Sequence, residues 1–318
     1  MNYDTATELT TRGAALQLNG DLDGARAAYE AALRADPSHA VAHNNLGFLL
    51  AQCGMLDDSL TELERAVELD GHSSTAWANL GNVRAATGDG PGAVAALQHA
   101  VELDRTNALA HEGLGRLLLA AGRLAQAERA CRAAVTVADV KAPYLVTLAT
   151  VVGARGRLRE AAELLERAVE LDPNLAYAWQ QLGAARLARR DYGSSIEAFR
   201  RALVLAPENG RARHALALTL LAGGERAAAR TELERHLMLH PDDHDVRLDL
   251  AAVDAAAGRF EAALASIAVV PETERARFAR AAALVGAGEH EEARTLLQRL
   301  VDEGGAYAHR AQETIDVI

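Results

Sequence analysis

The sequence has few of the residues that usually announce chemistry. Cysteine occurs twice in 318 residues, at Cys53 and Cys131, so no disulfide framework holds the chain and a reducing, cytoplasmic setting is the default expectation. Aromatic residues make up only 4%, which leaves a core of Ala and Leu. Basic residues are outnumbered, 33 against 44 acidic, for a net charge of −11 and a pI near 5.5. Such a balance argues against nucleic acid as a partner, because displacing phosphate counterions takes a clustered basic surface. No apolar run reaches the length of a membrane span, and the start MNYDTATELT has neither a basic n-region nor an apolar h-region. No glycine loop of the phosphate-cradling kind precedes a helix; GDGPG at 88–92 reads as a turn between two helices.

What is abundant is repetition. Gly20, Gly54, Gly88, Gly122 and Gly156 fall on a strict 34-residue period that Gly224 and Gly258 continue, with Arg190 at the one gap. A second column of small residues runs Gly13, Gly47, Gly81, Gly115, Ala149, Gly183, Ala217 and Ala251. A third marks turns at Pro37, Gly71, Arg105, Asp139, Pro173, Pro207 and Pro241. Each unit reads as two helices. The first ends at a glycine able to adopt the left-handed conformation, and the second carries an inward stripe such as Ala93, Leu97 and Ala100 before a proline-type stop. No segment alternates with period two, so no strand is expected.

The motif W-x2-L-G, followed by A-x3-[aromatic or Leu] and Pro on this period, resembles the tetratricopeptide repeat. Trp77, Leu80, Gly81, Ala93 and Leu97 carry it, as do Trp179, Leu182, Gly183, Phe199 and Pro207. The usual Tyr of the first helix is missing, its column reading Leu16, Leu50, Arg84, Leu118, Val152, Arg186 and Leu220. The resemblance implies an all-α, right-handed superhelical solenoid. Repeats are expected at 6–39, 40–73, 74–107, 108–141, 142–175, 176–209, 210–243, 244–273 and 274–307, after an N-terminal extension at 1–5 and before a capping helix at 308–318. The eighth is cut to 30 residues before Pro271. Residues 6–307 are then consumed by packing, which leaves no catalytic domain and implies no cofactor.

The cluster RHLMLHPDDHD offers His236, His240 and His244 with Asp242, Asp243 and Asp245, and imidazoles four apart on a helix can share a metal. Pro241 interrupts that helix and His236 stands in the column of Ala32, Ala66, Ala100 and Ala134, so one buried histidine and two at a turn are expected, with no metal. Cys53 and Cys131 read as small core residues, and Trp77 and Trp179 as rings packed between helices.

In the resembling family the first helices line a concave groove through positions 2, 5, 6, 9 and 12. Those positions share one helical face here and hold Asn44, Asn45, Asn79, Asn82, Arg116, Tyr177, Gln180 and Gln181. Amides both donate and accept, so a row of them suits the main chain of an extended peptide, and in the free protein they are expected to face solvent. Gly113 and Gly153 sit on the same face, either to admit a ligand backbone or by drift. Leu187, Leu218, Leu221 and Leu248 make the later wall more apolar, and Arg211, His214, Asp245, Asp249 and Arg275 cluster at its end. The expectation is a non-catalytic scaffold or adaptor that holds an extended protein or peptide segment, without nucleic acid or membrane insertion. The alternatives are assembly with itself through its ends or convex face, and an accessory subunit presenting substrate to an enzyme.

Overall fold

The computed structural model describes residues 2–136 and 140–318; the expected turn residue Asp139 and most of the stretch TVADV lie outside them. Nineteen helices and no strand occur among the described residues. They divide into two compact units, Met1–Asp172 and Pro173–Ile318. The first contains the hairpins α1 (Asn2–Leu18) with α2 (Leu22–Ala35), α3 (Ala40–Gln52) with α4 (Leu56–Leu69), α5 (Ser74–Ala86) with α6 (Gly90–Leu103), α7 (Ala108–Ala120) with α8 (Leu124–Val135), and α9 (Ala142–Ala154) with α10 (Leu158–Leu171). The second contains α11 (Ala176–Ala188) with α12 (Tyr192–Leu205), α13 (Gly210–Ala222) with α14 (Arg226–Leu239), α15 (His244–Ala256) with α16 (Phe260–Ala268), and α17 (Glu274–Ala287) with α18 (His290–Glu303), closed by α19 (Ala308–Ile315). The first helix starts at Asn2, so most of the segment expected as an extension at 1–5 is helical.

The glycine columns explain the hairpins. Gly54, at φ +78°, stops α3, and the Met55 N–H reaches back to the Leu50 carbonyl at 2.9 Å, which satisfies a helix-end acceptor. The second column sets how closely two helices approach. A Cβ on Gly81 would come within 2.6 Å of Leu97 Cγ, and one on Gly47 within 2.6 Å of Leu63 Cγ. Leu63 and Leu97 are fully buried, each contributing about 2 kcal/mol of apolar transfer. Where the second helix has serine instead of alanine, its hydroxyl bonds the column's carbonyl: Ser59 to Gly47 at 2.7 Å and Ser195 to Gly183 at 2.8 Å.

The turn column is held by side chains six residues further on. Trp77 Nε1 donates to the Gly71 carbonyl and Trp179 Nε1 to that of Pro173, both at 2.9 Å. His43 and His111 hold the Pro37 and Arg105 carbonyls through Nε2 at 3.1 and 3.0 Å, and Arg213 and Arg247 hold those of Pro207 and Pro241. The tryptophans are therefore half-buried rings with a polar task at the rim. Within each unit every second helix packs on the next first helix, and successive first helices touch, as α3 with α5 and α15 with α17. The first-helix faces thus form a surface in each unit.

Candidate functional site

On the first unit, α3, α5, α7 and α9 place their polar residues side by side. Asn44 Nδ2 donates to Asn45 Oδ1 at 3.1 Å, and Asn79 Nδ2 donates to Asn44 Oδ1 at 2.9 Å. Arg116 Nη2 donates to Asn82 Oδ1 at 2.8 Å, and its Nε lies 3.2 Å from Glu112 Oε1. Thr147 donates to the same Glu112 oxygen at 2.8 Å. The amides are therefore rungs between helices rather than free solvated groups. Asn79 is only 7% exposed, which corrects the expectation that these side chains all face solvent. The rungs leave Asn45 Nδ2, Asn82 Nδ2 and Asn79 Oδ1 without a partner among the described residues. Phe48, 41% exposed, and Val41, 55% exposed, flank them.

On the second unit, Gln180 accepts from Asn209 Nδ2 at 2.7 Å, while Asn209 caps α13 through the Ala212 N–H. The charged residues at the end pair with one another. His214 Nε2 lies 2.7 Å from Asp249 Oδ2, Arg275 Nη2 donates to Asp249 Oδ1 at 2.6 Å, and Arg275 Nη1 to Asp245 Oδ1 at 2.5 Å. Tyr177, Gln181 and Arg211 make no hydrogen bond or ion pair among the described residues, and Tyr177 and Arg211 are exposed. Of the aliphatic wall, Leu218 is exposed, Leu187 and Leu221 are half-buried, and Leu248 is buried.

A rule of register connects these pairs. Asn44 with Asn79, Glu112 with Thr147 and His214 with Asp249 are each 35 residues apart. One period plus one step brings position 5 of a hairpin against position 6 of the next. Reading the sequence column by column misses this, and with it Glu112 as the anchor of Arg116; complementary polar residues at a spacing of 35 are the signal. Gly113 is also explained, since a Cβ there would meet Asn82 Oδ1 at 2.6 Å and Leu97 at 3.0 Å. A side chain there would displace the ends of Asn82 and Leu97, whereas at Gly153 the nearest atom is an ordinary 3.6 Å away.

The His236 and His240 rings lie side by side, with centroids 4.9 Å apart, but His236 is committed to other partners. His236 is 4% exposed, with Nδ1 3.2 Å from the Gly210 carbonyl and Nε2 2.8 Å from Asp243 Oδ2. Burial works against the Asp243 carboxylate but is outweighed by the Val246 N–H and His236, so its pKa lies below the usual range. His240 is exposed, and Asp245 is taken by Arg275. No group of three or more metal-ligating side chains gathers among the described residues. Cys131 is buried, and burial pushes its thiol up to about 12, which makes it unreactive. Cys53 is exposed at the end of α3; the stop of that helix turns it outward, correcting its expected place in the core.

No helix is long and apolar enough to cross a membrane among the described residues. Models of the tetratricopeptide repeat match residues 16–82, 84–144 and 186–245, a second such model matches 146–210, and a third 275–299. No curated protein sequence matches the chain. Among solved structures, one in the APC/C hetero-tetramer Cut9–Hcn1 is similar at 19% identity and TM-score 0.69, covering 76% of this chain and 48% of that one. This chain therefore spans about half the length of that relative. A tetratricopeptide repeat protein from Parabacteroides merdae is similar at 15% identity and TM-score 0.55, covering 79% and 99%. PilF from Pseudomonas aeruginosa is similar at 20% and 0.57, covering 65% and 93%. These likenesses concern the fold. With the glycine, packing and turn columns in the places the repeat requires, and its models matching more than half of the residues, the chain belongs to the tetratricopeptide repeat family.

Proposed function

We propose that this protein is a non-catalytic scaffold whose first-helix faces hold an extended segment of a protein partner. The observation that carries the reading is the unused valence of the amide rungs: Asn45 Nδ2 and Asn82 Nδ2 as donors and Asn79 Oδ1 as acceptor, beside the exposed Phe48. A peptide main chain presents the complementary carbonyls and N–H groups at every residue. Their other ends are already bonded, Asn79 and Asn82 to the neighbouring first helices and Asn45 to Asn44 of its own, and this lowers the ordering cost of binding. On the second unit, unpaired Tyr177, Gln181 and Arg211 contribute an exposed ring, an amide and a cation, while Gln180, His214, Asp245 and Asp249 set the face's shape through their mutual pairs.

The test uses a peptide selected from a random library on the immobilised full chain. Each neutral hydrogen bond contributes about 0.5–1.5 kcal/mol, so Asn45→Ala or Asn82→Ala should weaken several-fold the calorimetric binding of a peptide held on the first unit, and Gln181→Ala that of one held on the second. All three together should nearly abolish binding at either face. Their melting temperatures should stay near wild type, since none of these residues is buried; Asn79→Ala, by contrast, should lower it. Wild-type affinity in a normally folded triple variant refutes the amide faces as the site.

A further inference from the structure

Charge is nearly absent from the helices that carry the amide rungs. Helix α3 contains no Asp, Glu, Lys or Arg, and neither does α9. Their hairpin partners α4 and α10 carry six charged residues each. Across α3, α5, α7 and α9, positions 2, 5, 6, 9 and 12 hold only two charged residues, Glu112 and Arg116, in a chain that is 24% charged. Burial does not account for this, because Val41, Phe48, Thr75 and Pro143 at these positions are exposed.

The ionisable groups that these four helices do have are paired within the fold. Arg116 Nε lies 3.2 Å from Glu112, which is only 8% exposed. Arg84 on α5 reaches Glu64 on α4 at 3.0 Å, and His43 on α3 reaches Glu62 at 2.6 Å. His111 on α7 turns to the Arg105 carbonyl. Among the described residues, then, no uncompensated charge stands at the face positions of these helices. What they offer instead is neutral: the free valences of Asn45, Asn79 and Asn82, and the exposed apolar Phe48 and Val41. An ion that leaves water for such a surface loses hydration and gains no counter-charge. A neutral polar or small apolar side chain escapes that cost.

We infer that the first-unit face selects an uncharged partner segment, an extended run of Ser, Thr, Asn, Gln, Gly, Ala or Val with an apolar residue beside Phe48 and Val41. This rests on the amide faces being the binding site, and names what one of them accepts. Asp, Glu, Lys and Arg are excluded from the segment's inward-facing positions. The selectivity belongs to the first unit alone, because Arg211, Asp245, Asp249 and Arg275 put charge of both signs on the face of the second.

Three random peptide libraries test this: one of uncharged residues only, one with regularly spaced Asp and Glu, and one with regularly spaced Lys and Arg. Each is panned on the immobilised full chain and, in parallel, on its Asn45→Ala/Asn82→Ala variant. Peptides lost on the variant are those held by the first unit, and they are expected from the uncharged library. A scan of the tightest one should find positions where Asp and Lys each weaken calorimetric binding about ten-fold, through desolvation of an unmatched charge. Thr75→Lys, at an exposed position of the face, should restore an Asp-bearing peptide and not its Lys-bearing counterpart. Thermal melts check that both protein variants fold. Amide-dependent peptides recovered equally from either charged library overturn the selectivity while leaving the amide face as the site. A scan in which neither Asp nor Lys weakens binding overturns it too. If no library yields an amide-dependent peptide, the amide face itself fails and the selectivity falls with it.

Discussion

Arg190 is the one residue other than glycine with a left-handed backbone among the described residues, at φ 60°. It stands where Gly156, at φ +81°, and Gly224, at φ +85°, make the same turn in the neighbouring hairpins. A side chain in that region crowds its own carbonyl, and glycine escapes the penalty at some cost in unfolded-chain entropy. Arg190→Gly should therefore stabilise the sixth hairpin by about 0.5–1 kcal/mol. A chemical melt and amide exchange in α11 and α12 check this; slower exchange is expected, and faster exchange would show that the arginine side chain contributes more than its backbone costs. The position is legible in the sequence, as the single gap in a glycine column. The fates of Asn79 and Cys53 are not. Both follow from how the neighbouring hairpin or the helix end turns the side chain, which a column of like residues does not encode.

At the scale of helices, the two-helix unit, its stop and its inner stripe are all readable from periodicity, because each rests on local physics: a left-handed glycine, a proline, an apolar repeat. The pairing between helices is less so, since it depends on a register shift of one residue between successive hairpins. The joint between α8 and the α9–α10 turn shows what such pairing does. Glu128 is 7% exposed on α8 and faces three arginines. Arg132 Nε donates to it at 2.8 Å, and Arg155 and Arg157 reach it from the turn. Arg132 and Arg157 also hold Glu160, at 2.6 and 3.2 Å. The hydrogen bond from Arg157, followed by those from Arg132 and Arg155, outweighs burial and holds the Glu128 carboxyl at about 2. A carboxylate with a depressed folded pKa contributes stability above its unfolded value of 4.5 and loses that contribution as pH falls toward about 2. Glu128→Gln should therefore destabilise the protein at pH 7, and the gap from wild type should narrow steadily between pH 4.5 and 2. Urea unfolding across that range reads it directly. A gap independent of pH would show that Glu128 acts by packing alone.

At the scale of the whole chain, stability in a repeat protein is a sum of hairpin terms and nearest-neighbour interfaces, so a defect in one hairpin stays local. The eighth hairpin has such a defect. Its second helix stops at Ala268, nine residues long, and the turn that would complete its contact with α17 is replaced by exposed Val269 and Pro271, with only half-buried Val270 packed at the joint. The receiving position has become Arg280, which is exposed and pairs with Glu292 instead of packing inward. The third hairpin has none of these losses: Leu97, Ala100 and Ala110 are fully buried together, with Val101 packed against them. Amide exchange should accordingly be faster across 244–275 than in the second, third and sixth hairpins, with α16 fastest. The stretch 136–145, which lacks a proline stop and falls partly outside the described residues, is expected to exchange quickly as well. Mass-resolved exchange on the full chain separates these segments. Uniform protection along the chain would mean that the shortened helix costs its neighbours nothing.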